Sequence, residues 1–220
     1  MMKKSIIIAL IIGLLALAAC KPQPSVKIAP ELEAKILTAS HINNFEYTYV
    51  DSDFTEQYHF YIMGKNRKVA LNALQTDPIT NQTYDEIFYE VFKEIGFGYC
   101  SNVYCKDENK DMEAVQVDYT PYDHRSPAEW LLSLDSAKET GEDMLDNIKV
   151  KVITFTDARS NNGTMWVHSF DYIPMKIEYV SPDGKQHSIL FKDIHWNVVR
   201  DYHVKLPIYV KLIRVEKVTA

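Results

Sequence analysis

From Phe45 onward the chain repeats every second residue. Phe45, Tyr47 and Tyr49 alternate with Glu46 and Thr48, and Tyr58, Phe60 and Ile62 follow after the polar turn "DSDFTEQ". Val69, Leu71 and Ala73 continue the pattern beyond "GKNRK". A period of two puts one set of side chains on one face of a strand, and aromatic and β-branched residues suit that pleated surface. Short polar turns between such runs predict an antiparallel meander. The pattern returns in the second half of the chain. Ile148, Val150 and Val152 alternate with lysines, and the parity then shifts to Ile153 and Phe155, which predicts a bulge there. Further strands are expected at "TMWVHSFDY", at Met175, Ile177 and Tyr179, at "SILFKDIHWNV", and in the last apolar run "LPIYVKLIRVEKV". Residues 84–99 fit either a helix through Ile87, Phe88, Val91, Phe92 and Ile95 or two strands turning at Lys93-Glu94, and Gly96 and Gly98 favour the hairpin. About ten strands are expected in all.

Two segments depart from this period. Pro30 suits a first helical position, and Leu32, Ile36, Leu37 and Ser40 follow at helical spacing as far as Asn43-Asn44. In "HRSPAEWLLSLDSAKETG", Ser126 is a good N-cap, Pro127 fits the first turn, and Glu129 completes a capping box. Trp130, Leu131, Leu134 and Ala137 then make one apolar stripe, so a helix is expected over 126–138, ending at Gly141. The class is α+β, mainly antiparallel β, with helices packed on one face. With 46% apolar residues and only 7 glycines in 220, residues 30–220 read as one folded domain.

The N-terminus is of another kind. A basic start is followed by a fourteen-residue apolar run, Ile6 to Ala19, too short to span a bilayer and matching a secretory signal over residues 1–19. Leu17-Ala18-Ala19-Cys20 resembles the prokaryotic lipobox, which implies cleavage before Cys20 and diacylglycerol on its thiol. Residues 20–29 then form the lipid anchor and a proline-containing tether. Removing the signal takes away Lys3 and Lys4, so 24 − 2 = 22 basic residues face 30 acidic ones and the net charge moves from −6 to −8. Such a body is a poor partner for nucleic acid, and acyl chains rather than a basic patch are expected to hold it at a membrane. The expected location is the exported side of that membrane, facing the periplasm or the cell exterior.

Cys100 and Cys105 remain in the mature chain. Four intervening residues suit a disulfide across a turn in an oxidising compartment. Metal sites and redox-active pairs more often carry two intervening residues. His59, His168, His187 and His195 show neither His-x-His nor His-x3-His spacing, so no metal is expected, and no cofactor pattern occurs. Nucleophile elbows, zinc-protease motifs and phosphate loops are absent from the sequence. The expectation is a protein that is not an enzyme.

The segment "TMWVHSFDYIPMKIEYVSPDGKQHSILFKDIHWN", residues 164–197, resembles the outer-membrane lipoprotein-sorting superfamily of LolA, LolB and RseB-like proteins. The shared features are a tryptophan strand, a proline followed by alternating apolar and charged residues, an Asp-Gly turn, and a strand ending Phe-Lys-Asp-Ile. The resemblance implies an incompletely closed antiparallel half-barrel with helices on its concave face and acyl chains bound between them. Cys20 departs from the freely diffusing carriers, and the Cys100-Cys105 loop and the segment after Pro207 have no counterpart. On this reading Trp130, Leu131 and Leu134 of the helix and Phe60, Trp166, Ile177 and Tyr179 of the strands line a cavity for a lipid or lipoprotein ligand. The alternative is a closed core, in which the same face is simply filled and the domain is an interaction or sensor module that binds another envelope protein.

Overall fold

The computed structural model describes residues 28–51, 57–91, 93, 95–107 and 110–214. The expected signal, Cys20 and most of the tether lie outside the described residues.

Twelve strands form a single sheet. The first six are β1 (Asn44–Asp51), β2 (Gln57–Met63), β3 (Asn66–Thr76), β4 (Thr83–Glu90), β5 (Gly96–Tyr99) and β6 (Glu113–Val117). Each pairs antiparallel with the next, so Thr83–Glu90 and Gly96–Tyr99 are two strands of a hairpin and not a helix. The second run is β7 (Leu134–Leu145), β8 (Ile148–Asp157), β9 (Asn162–His168), β10 (Pro174–Val180) and β11 (Gln186–Trp196), again a meander. The two meanders meet at β1 and β11, where Tyr49 faces Phe191 and Asp51 faces Ile189. A three-residue β12 (Lys211–Ile213) pairs parallel with β6, and β7 is the opposite edge. The sheet does not close on itself, giving the half-barrel.

Four helices accompany the sheet among the described residues: α1 (Pro30–Ser40), α2 (Val103–Asp107), α3 (Pro127–Leu132) and α4 (Asp201–Val204). α1 buries Leu32, Ile36, Ala39 and Ser40, while Leu37 points to solvent at 52% exposure. α3 has the expected cap, with the Ser126 hydroxyl accepting from Glu129 N and the Glu129 carboxylate accepting from Ser126 N. It is much shorter than the apolar stripe predicts. The Ser133 hydroxyl donates back to Trp130 O, and Ala158 N donates to Ser133 O. From Leu134 the chain instead pairs with β8 over the whole length of β7, and Gly141 lies inside that strand. Pairing an otherwise bare edge outweighs a helical stripe of two further residues.

The bulge expected at Ile153 falls on the neighbouring strand. The β8–β9 register is unbroken from Val150 opposite His168 to Thr156 opposite Asn162, and the shifts lie on β7, at Leu134/Ser136 and Glu139/Gly141. Gly163 marks the tightest approach among the described glycines, since a Cβ there would sit 2.2 Å from Glu178 O. Cys100 at the end of β5 and Cys105 in α2 are buried and joined by a disulfide, with Cα atoms 6.0 Å apart.

After β11 the chain crosses the convex face. α4 packs on β2 and β3, with the His203 ring 5.4 Å from that of Tyr61. Leu206 and Val210 then cover a small cluster of Phe88, Tyr99 and Ala114.

Candidate functional site

The concave face is a continuous apolar surface. Phe45 and Tyr47 of β1, Phe60 and Ile62 of β2, Val69 of β3 and Ile87 of β4 share it with Phe191, Ile177, Met165 and Ile153 across the β1–β11 seam. Tyr47 stacks on Phe60 at 5.2 Å and meets Phe191 edge-on at 5.4 Å. α1 and α3 lie together over this face, contributing Leu32, Ile36 and Ala39 from one and Trp130 and Leu131 from the other.

Phe60, Ile177, Trp130 and Leu131 of the expected lining belong to this one cluster and are at most 3% exposed. Leu134 and Tyr179 pack against it while partly buried. Trp130 touches Phe155 at 6.2 Å and Tyr179 at 5.1 Å between ring centroids. Trp166 is on the other face. Met165 and Val167 take the inward positions of β9, so alternation turns Trp166 outward, where Lys176 Nζ lies 4.6 Å from its ring and its indole N–H donates to Asp143 at 3.3 Å.

The helices seal the face in this conformation. Where α1, α3 and the sheet meet, an apolar space lined by Ala39, Ile42, Phe45, Ala128, Leu131 and Ile173 has a volume of only ≈ 10 Å³. A larger cavity of ≈ 190 Å³ opens beside Trp130, between Tyr49, His124, Arg125, Arg159, Asn161 and Tyr179.

Polar latches fasten the lid. Arg67, from the "GKNRK" stretch, is 4% exposed on the concave side of β3. Its guanidinium pairs with Glu129 of α3 and with Asp123 at 3.4 Å, and donates to His124 O at 3.3 Å. Burial is the largest single influence on its pKa and would lower it, but Glu129 together with the Tyr89 and Tyr47 phenols outweighs this and holds the charge more firmly than usual. Burial drives the Tyr47 phenol far above its ordinary range, and its hydroxyl has no hydrogen-bond partner among the described residues. Arg125 stacks 4.6 Å from the Trp130 ring and pairs with buried Asp157 at 2.8 Å. On α1, Lys35 donates to the Tyr172 hydroxyl at 2.9 Å, which donates to Glu139 at 3.0 Å.

The sequence pattern puts Arg67 in the polar turn "GKNRK". Its parity with Val69 and Leu71 was the available signal, because it shares their face. Burial lowers the pKa of His59 and of His124. Among the described residues no cluster of His, Cys, Asp and Glu is arranged to hold a metal ion, and no helix is long and apolar enough to cross a membrane.

No protein-family model matches the chain, and no curated protein matches it. Solved structures do. LprF from Mycobacterium bovis aligns over 84% of this chain and 100% of its own, with 10% identity and a TM-score of 0.49. A LolA superfamily protein from Nitrosomonas europaea aligns over 79% and 96%, with 12% identity and a TM-score of 0.31. MucB, solved in complex with MucA from Pseudomonas aeruginosa, aligns over 83% of this chain at 10% identity and a TM-score of 0.39, and this chain spans 62% of that one. These are similarities of fold.

Proposed function

We propose that this chain is a lipid-anchored, non-enzymatic envelope protein, held by acyl chains on Cys20 and facing the periplasm or the cell exterior. Its half-barrel takes up an acyl chain or a lipidated ligand beneath α1 and α3. The observation that carries this reading is the lid itself. Two short helices cover a broad apolar concave face, and the junction between them and the sheet is lined only by apolar residues. Uptake requires the lid to lift, because ≈ 10 Å³ admits no acyl chain. Burial contributes about 0.8 kcal/mol per CH2, so half of a sixteen-carbon chain supplies on the order of 6 kcal/mol towards opening and binding.

The seal favours a second reading. Trp130 and Leu131 at 3% and 2% exposure fill the face as a closed core does, and a closed domain acts as an interaction or sensor module for another envelope protein.

Native mass spectrometry of the mature protein from its own envelope separates the two. A bound lipid that disappears in Ala128→Phe, which fills the junction, with the fold retained by circular dichroism, supports the carrier. A ligand-free protein that also fails to take up a fluorescent fatty acid leaves the interaction module. In the same preparation Cys20→Ser is expected to release the domain from the membrane or to accumulate precursor, and unchanged partition and cleavage refute the anchor.

A further inference from the structure

One end of the sheet gathers the starts of β1, β8 and β10 and the ends of β7, β9 and β11. Its connections touch in series. Ser169 N donates to Lys149 O at 3.2 Å, the His168 ring lies 6.5 Å from that of Trp196, and Asn197 N donates to Asn44 O at 2.8 Å. This rim carries Phe170 at 87% exposure, Met144 at 59%, Val198 at 40%, Trp196 at 39% and Ile148 at 38%. Exposed apolar residues scattered singly need no explanation, whereas several along one linked rim mark a contact surface.

Phe170 is held outward by its turn. Tyr172 and Ile173 are buried at 3% and 6%, Tyr172 N donates to His168 O at 2.9 Å, and His168 N donates to Ile173 O at 2.9 Å. Asp171 pairs with His168 at 3.0 Å, closing the same turn. With both ends fixed, the side chain at 170 projects into solvent.

We infer that this rim rests in the headgroup layer of a lipid bilayer, with Phe170 inserted deepest and Trp196 on the same rim. The inference rests on the anchoring through Cys20 proposed above. α1 is about 16 Å long and ends just before β1 at the rim, so its start lies within about that distance of it. The eight Cα-to-Cα steps from Cys20 to Ile28 reach up to about 28 Å, enough to bring the rim to the surface that holds the acyl chains. The rim's charges fit a zwitterionic surface. At the β7–β10 ends Lys149 stands with Glu142, Asp143, Asp146 and Asp171, and Lys149–Glu142 closes at 2.7 Å, so no basic patch there calls for an anionic surface. Interfacial Trp, Tyr and Phe need no net charge to settle at headgroup depth.

The test uses the mature, acylated protein in phosphatidylcholine vesicles, with and without bromine on the upper acyl carbons. Phe170→Trp adds an indole at the rim, and Ile79→Trp adds one at the opposite end of the sheet, where Ile79 is 73% exposed. The emission added by Phe170→Trp over wild type is expected to fall about twofold with the brominated lipid and to resist aqueous iodide, while that added by Ile79→Trp does the reverse. Raising the salt should leave the depth unchanged, and a depth that is lost on raising it overturns the apolar insertion. If the protein partitions into vesicles but the Phe170→Trp indole is quenched by iodide and ignores bromine, the rim faces water and the inference is overturned, with the anchor intact. Protein that stays out of the vesicle fraction overturns the anchor and the inference together.

Discussion

Removing the buried charge that fastens α3 gives a direct measure of the lid. Arg67 is 4% exposed and pairs with Glu129, which is 37% exposed, and with Asp123, which is 43% exposed. Two unit charges near contact attract by about 4 kcal/mol at an effective dielectric of 20. Water at the half-open Glu129 screens part of this, and desolvating the guanidinium offsets more, leaving about 2 kcal/mol of coupling. Arg67→Met also loses Asp123 and the His124 carbonyl, so the single variant should cost about 3 kcal/mol. Glu129→Gln retains the cap, because its amide oxygen still accepts from Ser126 N, but leaves Arg67 without its main partner. Urea unfolding of wild type, both single variants and the double variant yields the coupling energy as a double-mutant cycle. A coupling under about 0.5 kcal/mol refutes the view that this pair holds α3 to the sheet.

Three further outcomes follow from single contacts. Asp157 is held below its usual range: its burial acts the other way, but the hydrogen bonds from Arg125, Asn161 and nearby backbone N–H groups outweigh it. A carboxyl depressed in the folded state adds stability above its unfolded value and loses it as the pH falls through the folded one, so the stability gap between wild type and Asp157→Asn should narrow below about pH 4; a gap that is constant down to about pH 2 contradicts this. Gly163→Ala forces a Cβ to 2.2 Å from a backbone oxygen, and should cost about 3 kcal/mol by thermal or urea unfolding, with a loss under about 1 kcal/mol arguing against the close approach. Replacing Cys100 and Cys105 by serine should cost about 2 kcal/mol, and the oxidised wild type should weigh about 2 Da less than the reduced form; two alkylatable thiols in the oxidised protein reject the bridge.

Local periodicity made much of the fold legible. Alternation along Phe45–Tyr49 and Tyr58–Ile62 predicts strands whose inward residues Phe45, Tyr47, Tyr49, Phe60 and Ile62 are buried and Tyr58 partly so, and the Ser126 cap lies where its chemistry places it. What misled was a competition between two local patterns. Trp130, Leu134 and Ala137 satisfy a helix, but the edge of β8 recruits the chain from Leu134 onward, and nothing near residue 134 announces a partner at residue 157. Trp166 failed through parity, since a tryptophan suggested a lining residue while the smaller Met165 and Val167 were the ones facing inward. Arg67 failed through composition, because a basic residue beside a glycine turn suggests solvent. Its burial depends on Glu129, which lies 62 residues further along the chain. The parallel pairing of β12 with β6 is similarly long-range, joining Lys211 to Glu113.

The seam between the meanders sets an order of assembly. Within each meander strands pair with their immediate successors, whereas Tyr49 must find Phe191, 191 − 49 = 142 positions away. Closing a loop of that length costs about 4 kcal/mol of chain entropy, against about 2 for a ten-residue hairpin. A chain that emerges from its amino end therefore completes β1–β6 while β11 is still missing. During that interval Phe45, Tyr47 and Tyr49 lie on a bare, aromatic strand edge, the kind that pairs readily with another chain. Crowding and slow delivery of the second half endanger this protein more than loss of any one contact in the finished sheet.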